Sequence, residues 1–459
     1  LKKVMLFAAL IMLISSKCSQ QHHDVGIAAR PPMGWNSWDC FGSDVSEDQV
    51  KANADWMAEN LLEFGWEYIV VDLGWYLHPD RTIHTFKEPR PPQSIDAYGR
   101  LVPDLNKFPS AANGVGFKSL ADYIHSKGLK FGIHIMRGIP WQAVEQNLPI
   151  LGSDSKAGDI IAPTDTCVWY DGLIGIDMTH PGGQAYYHSI AKLYAEWGVD
   201  YIKADDMCQP YHAAEIAGLH QAIAASGRPI VLSLSPGAAP LEQLPHLRQN
   251  ANLWRISPDF WDDWKFLYRQ FELCRLWEGT ALPGAWPDAD MLPIGKLRKT
   301  GPDDYIAEHM GKTPEEITDE YSRFTDIEKK TLMTLWCIFR SPLMLGGHLP
   351  ESDETTFSLI TNDQALEVNQ ASLNNRQVYR NGSAIAWAAD MSNSKDKVVA
   401  LFNVDDVQSI NVSIGWDALG VSGDHIVRDL WTGEDIGQFS SLFSVELAPH
   451  GSGMYRIKL

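Results

Sequence analysis

Two stretches of the chain put ionisable residues at the end of a short apolar run. Lys203-Ala204-Asp205-Asp206 follows Tyr201-Ile202. Successive side chains along a strand point to opposite faces, so Lys203 and Asp205 share one face and Ala204 takes the other. An ammonium beside a carboxylate keeps it ionised, the state a nucleophile requires. Taken alone, this strand reads more naturally as a structural ion pair or a cap for the next helix. The second stretch, Arg255-Ile256-Ser257-Pro258-Asp259, runs into Phe260-Trp261-Asp262-Asp263-Trp264. A carboxyl set among aromatic rings is desolvated, which raises its pKa toward the range a general acid uses at neutral pH. The competing reading of Asp259 is an N-cap for the helix that follows. Asp72 with Trp75, Trp35 with Trp38, and Asp288 with Asp290 sit at three further apolar runs. Carboxylates that bind hydroxyls beside indole faces that stack on rings suit sugar recognition. Each Trp by itself reads as core, so the clustering carries this reading and no single residue does.

The elements that must position these residues alternate short apolar strands with amphipathic helices, the pattern of a parallel α/β sheet. Eight strands are expected, at Met33–Trp38, Tyr68–Asp72, Lys130–Ile135, Tyr201–Asp205, Ile230–Ser235, Leu253–Ser257, Ala281–Trp286 and Leu343–Gly347. Eight is the number that closes a (β/α)8 TIM barrel, whose active sites lie at the C-terminal ends of the strands. The clearest helix opens with the capping box Ser46-Glu47-Asp48-Gln49 and carries Val50, Ala54, Met57 and Leu61 on one face. Others are expected near 116–127, 183–197, 261–278 and 326–339. Long connections at 76–109, 136–182 and 292–325 fall on the site end of such a barrel. From about Ala371 the character changes to short β runs such as SAIAWAAD and KVVALFNV, which predict a C-terminal antiparallel β-sandwich. The expected organisation is a signal peptide over residues 1–20, a barrel over 27–370 and the β domain over 371–459.

Composition narrows the function. The 459 residues are 45% hydrophobic and 21% charged, a folded composition, and 38 Lys plus Arg against 58 Asp plus Glu give a net charge of −20. Without a basic run, a nucleic-acid partner is excluded. Lys2 and Lys3 before the apolar run Val4–Ile14 read as an export signal, too short for a mature membrane span, which predicts a periplasmic or extracellular protein. Cys18 is a candidate for lipid anchoring, although Lys17 is a poor neighbour for it. The other five cysteines are scattered, and no CxxC or HExxH spacing occurs, so neither a disulfide framework nor a metal site is expected.

The motifs PPMGWNSWDCF (31–41), GWEYIVVDLGW (65–75), WGVDYIKADD (197–206), NLWRISPDFWDDW (252–264), WPDADMLPIG (286–295) and LWCIFRSPLMLGG (335–347) closely resemble glycoside hydrolase family 27. This is the family of α-galactosidases and α-N-acetylgalactosaminidases, and the resemblance runs in order from Pro31 to Gln370. It implies a barrel followed by a β domain, and retaining hydrolysis without a cofactor or metal. It puts the nucleophile on Asp205, the acid/base on Asp259, and sugar contacts on Trp38, Asp72, Lys203, Arg255 and Asp290. A retaining mechanism needs the two carboxyl groups about 5 to 5.5 Å apart.

Four departures bear on the substrate. Where the family usually has a second carboxylate after Asp72, reading O4 and O6 with it, this chain has Leu73. His134 stands where tyrosine is common on the third strand. Small residues, Ser235 and Ala238, replace the glutamate that α-galactosidases place beside O2 after the fifth strand, and they resemble the α-N-acetylgalactosaminidase pattern. The fourth-strand motif reads KADD, without the usual aromatic before the nucleophile or cysteine two after it; Cys208 comes one place late for a pairing with Cys167. The expected activity is α-galactosidase on glycans ending in a galacto-configured sugar. The alternatives are α-N-acetylgalactosaminidase, supported by Ser235 and Ala238, and β-L-arabinopyranosidase, supported by Leu73, with a catalytically decayed carbohydrate-binding protein as the reading outside enzymology.

Overall fold

The computed structural model of the chain describes residues 26–78, 92–298, 316 and 321–459. The expected signal peptide and Cys18 lie outside the described residues, as do parts of the connections at 76–109 and 292–325. Among the described residues no helix is long and apolar enough to cross a membrane.

Eight parallel strands form one curled sheet: β1 (Met33–Asn36), β2 (Tyr68–Val71), β3 (Lys130–Met136), β4 (Tyr201–Asp205), β5 (Val231–Leu234), β6 (Leu253–Arg255), β7 (Trp286–Asp288) and β8 (Leu343–Leu345). Each pairs with its neighbour in chain order, β8 returns to β1, and a parallel bridge from Leu292 to Leu345 brings the remaining edges together. All eight expected strands are present, but the seventh lies later than expected. Leu282 and Ala285 close a tight turn on each other with Gly284 at φ 84°, so the strand starts only at Trp286. The Pro-Gly step inside ALPGAW was the breaker.

The strand period of two explains where the site forms. Tyr68, Val70, Tyr201, Val231, Leu253 and Trp286 make an apolar cluster together with Met344. The residues that alternate with them, such as Ile69, Val71, Ile202 and Trp254, pack instead with the surrounding helices. The inside face therefore continues, two residues at a time toward the C-terminal ends, as Asp72, Lys203 and Asp205, Ser233 and Ser235, Arg255 and Asp288. An apolar plug fills one end of the barrel and a ring of charge lines the other.

The expected helices are present, at Glu47–Asn60, Lys118–Ser126, Pro181–Trp197, Trp264–Leu276 and Asp326–Phe339. Reciprocal capping boxes start the first and last of these, Ser46 with Gln49 and Thr325 with Glu328. The connection after β3 carries its own three-stranded sheet (Ile139–Pro140, Ile161–Thr166 and Leu173–Ile176).

Beyond the barrel, strands β9 (Ser372–Asn381), β10 (Ala384–Met391), β11 (Lys397–Asn403), β13 (His425–Asp429), β14 (Asp435–Phe439) and β16 (Ser452–Lys458) form a six-stranded antiparallel sheet in the order β9-β10-β11-β16-β13-β14. The pair β12 (Ile410–Gly415) and β15 (Leu442–Leu447) forms a second sheet. Ala386, Ala388, Val399 and Leu401 face Val412, Ile414 and Phe443 between the sheets. The alternate residues Ile385, Trp387, Val398 and Phe402 join the barrel's own core, where Phe271 meets Phe402 and Phe339 meets Trp387 edge-on. Both faces of the large sheet's central strands β10 and β11 are buried, which is why these two read as nearly unbroken apolar runs.

Candidate active site

Asp205 ends β4, buried at 8% exposure, with both carboxylate oxygens engaged. His134, at the inward position of β3, sets Nε2 2.8 Å from Oδ2, and the Ser235 hydroxyl donates to Oδ1 at 2.8 Å. Because the carboxylate only accepts, Nε2 carries the imidazole proton. Burial by itself would raise the Asp205 pKa; the His134 hydrogen bond, the nearby Lys203 charge and Ser235 more than offset it and hold the group well below the usual carboxylate range. It is an ionised, oriented carboxylate.

Beside it Lys203 Nζ donates to Asp72 Oδ2 at 2.8 Å, and Asn36 Nδ2 donates to the same oxygen at 2.6 Å. Lys203 is half-buried yet held charged, its pKa raised by Asp72 and Asp205 against the cost of desolvation. The same pairing lowers that of Asp72 against its own burial. The Leu73 amide donates to Asp72 Oδ1 at 2.8 Å, and the Leu73 side chain is 2% exposed, closed into the apolar core.

The third group gathers at Arg255 on β6. Its Nη2 is 2.5 Å from Asp290 Oδ2 and 3.1 Å from Asp259 Oδ1. Asp290 also accepts from the amides of Phe260 and Met291, and it sits in the left-handed region at φ 87°. Burial, with Asp259 and Asp288 close by, raises the Asp290 pKa although Arg255 opposes it. Arg255 Nε is buried without a hydrogen-bond partner among the described residues.

Asp259 departs from two expectations. It is not the N-cap of the next helix; Asp263 caps that helix, accepting from the Lys265 amide, and the helix begins at Trp264 rather than near Trp261. Nor do the aromatics enclose it, because Phe260 and Trp261 turn into the core and leave its side chain 36% exposed at the mouth of the barrel. Trp38 is half-buried at the same end, whereas Trp35 and Trp75 are core, their indoles donating to the carbonyls of Gly347 and His134. Ala238 is half-buried in the segment after β5, where Gly237 packs so tightly on the Ser257 backbone that a Cβ would come within 2.0 Å.

The structure thus brings together Asp205, His134, Ser235, Lys203 and Asp72, and separately Arg255, Asp259 and Asp290. Cys167 and Cys208 are both free and buried, so the pairing considered for them is not made. Three participants escaped the sequence reading. Asn36 supports Asp72 from two residues before Trp38. Asp39 is a buried carboxyl among Asp290, Asp262 and Asp72 whose Oδ2 lacks a partner among the described residues, and burial first and then the Asp290 charge raise its pKa. Arg137, just past β3, touches the chain that carries Asp205.

Residues 30–141 and 168–305 match the family model described as Alpha galactosidase A, and residues 381–457 match that of the Alpha galactosidase C-terminal beta sandwich domain. The chain belongs to glycoside hydrolase family 27. A solved β-L-arabinopyranosidase of family 27 from Geobacillus stearothermophilus is 46% identical, with a TM-score of 0.87 over 94% of this chain and 97% of its own. A provisionally named α-N-acetylgalactosaminidase from Bacillus halodurans is 44% identical, with a TM-score of 0.81 over 93% of this chain and 97% of its own. Alpha-galactosidase 2 of Arabidopsis thaliana is 29% identical over 94% of this chain and 90% of its own. The family 27 barrel and sandwich are therefore both present in full order, and the enzyme is a glycoside hydrolase.

Proposed function

We propose that this family 27 enzyme removes terminal galacto-configured sugars with retention, α-D-galactose first among them. The observation that carries the reading is Asp205, ionised and held by His134 and Ser235 at the strand ends where Asp259 reaches the same mouth. In the first step an Asp205 oxygen bonds to the anomeric carbon as the glycosidic bond breaks. The leaving oxygen takes that electron pair and the proton of Asp259. In the second, Asp259 takes a proton from water, whose oxygen bonds to the anomeric carbon while the ester bond to Asp205 breaks and the carboxylate departs. The His134 and Ser235 hydrogen bonds strengthen as that carboxylate regains its charge.

One observation favours a second reading, β-L-arabinopyranosidase. That sugar is galactose without its hydroxymethyl group, and Leu73, buried in the core, stands at the sequence position of the second carboxylate that would meet O6, so that contact is missing. Ser235, by contrast, commits its hydroxyl to Asp205. A hydrogen bond to a charged group contributes about 1.5 to 3 kcal/mol, enough to shift substrate preference by roughly ten- to a hundredfold. Nitrophenyl α-galactoside, α-N-acetylgalactosaminide and β-L-arabinopyranoside, compared by kcat/KM, separate the readings. Leu73→Asp is expected to move the ratio toward the galactoside and Asp205→Ala to silence all three. A Leu73→Asp ratio that does not move removes Leu73 as the determinant, and an active Asp205→Ala removes the mechanism. We also place the enzyme outside the cytoplasm, on the strength of Lys2, Lys3 and the apolar run that follows.

A further inference from the structure

Arg137 follows β3 and is 3% exposed, although it carries no part of the chemistry proposed above. Its amide donates to the Asp205 carbonyl at 3.1 Å, continuing the β3–β4 pairing one residue past the strand. The guanidinium then engages three carboxylates and a main-chain carbonyl. Nε donates to the Asp206 carbonyl at 3.1 Å and to Asp206 Oδ2 at 2.9 Å, and Nη2 is 2.8 Å from that same carboxylate oxygen. Nη1 and Nη2 hold Asp165 bidentately at 3.1 and 2.9 Å, and Nη1 also donates to Glu215 Oε1 at 2.6 Å. The second Glu215 oxygen accepts from the Tyr187 hydroxyl at 2.5 Å.

The partners come from separate parts of the fold: Asp206 from the end of β4, Asp165 from the small sheet after β3, and Glu215 from the helix Ala213–Ser226. Asp206 is held in the left-handed region at φ 61°, a conformation uncommon for residues other than glycine. Cys167, two residues past Asp165, lies close to the Asp206 carboxyl as well. Space for this junction is kept by Gly175, where a Cβ would come within 2.4 Å of Arg137 Nη1. Asp165, Glu215 and His212 lie close enough together to suggest a metal seat, but the guanidinium is bonded to both carboxylates and already supplies the cation.

We propose that Arg137 is a positioning residue for Asp205. By tying the Asp205–Asp206 main chain to the small sheet and to the helix Ala213–Ser226, it fixes where the attacking carboxylate stands. The proposal rests on Asp205 being the nucleophile. A planar fork with five donors is needed, so lysine cannot replace it.

The test compares Arg137→Ala, Arg137→Lys, Asp165→Asn and Asp205→Ala in the full chain, with kcat, KM and thermal midpoint measured for each. A misplacement near 1 Å costs about a hundredfold in rate, so Arg137→Ala is expected to lose about that in kcat with KM changed less than about threefold. Guanidinium chloride at tens of millimolar should restore part of the loss, and equal sodium chloride should not. Arg137→Lys should recover little. Asp165→Asn removes only the half-exposed arm, so it should fold normally and still lose kcat with KM unchanged. A folded Arg137→Ala with wild-type kcat overturns the proposal. So does an unfolded Arg137→Ala beside an Asp165→Asn of wild-type kcat. An active Asp205→Ala instead overturns the nucleophile assignment beneath it.

Discussion

Replacing Lys203 by methionine separates the electrostatics of the site from its packing. Methionine keeps the apolar stem and removes the ammonium that sits 2.8 Å from Asp72, whose side chain is 3% exposed. Breaking a buried pair by removing one partner costs about 3 to 5 kcal/mol, because a charge is left uncompensated. Asp72 keeps the Asn36 and Leu73 donors and Asp205 keeps His134 and Ser235, which puts the expected cost near the lower bound, about 3 kcal/mol at neutral pH. The sign with pH follows from the Asp72 shift. Its folded pKa is lowered, so in the wild type its contribution is present above the unfolded value and is lost as pH falls through the folded one. In Lys203→Met the lowering partner is gone and Asp72 can protonate instead. The deficit should therefore be largest at neutral pH and shrink on acidification, by up to about 1.4 kcal/mol per pH unit. Urea unfolding followed by tryptophan fluorescence at neutral and at mildly acidic pH reads both quantities. Adding Asp72→Asn should recover at least about 1 kcal/mol of the loss. A Lys203→Met protein within about 0.5 kcal/mol of wild type, or a deficit that ignores pH, would refute the reasoning.

Asp39→Asn tests a carboxyl whose pKa is raised rather than lowered. The wild-type group contributes nothing unfavourable at low pH and loses stability as pH rises from about 3.8 toward its folded value, so the variant should gain over wild type with increasing pH and match it near pH 3; a flat difference counts against the assignment. For the retaining mechanism, proton NMR of the earliest product from an α-galactoside should show the α anomer before mutarotation, and an initial β anomer would rule out the Asp205 ester.

The eight strands, the main helices and the β domain were legible because period two and period 3.6 are local properties of the chain. The seventh strand was displaced by a Pro-Gly turn that the apolar run concealed. At the site, Asp205 and Lys203 could be placed on one face from their spacing alone. The His134 hydrogen bond to Asp205 spans 71 positions and the Asn36 bond to Asp72 spans 36, and nothing local signals either. Arg137 was invisible for the same reason: its partners become neighbours only once the barrel has closed. Asp259 misled through the aromatics beside it, which turn inward and leave it at the mouth.

The large C-terminal sheet also bears on how the protein comes into being. Trp387 and Phe402 complete a core begun by Phe271 and Phe339, so the boundary near Ala371 divides the chain but not the hydrophobic interior. During synthesis the barrel is finished while residues 371–459 are still to be made, an interval on the order of ten seconds at roughly 5 to 20 residues per second. Through that interval the helix Asp326–Phe339 presents an uncovered apolar flank, and the nascent enzyme is at its most aggregation-prone just before it is complete.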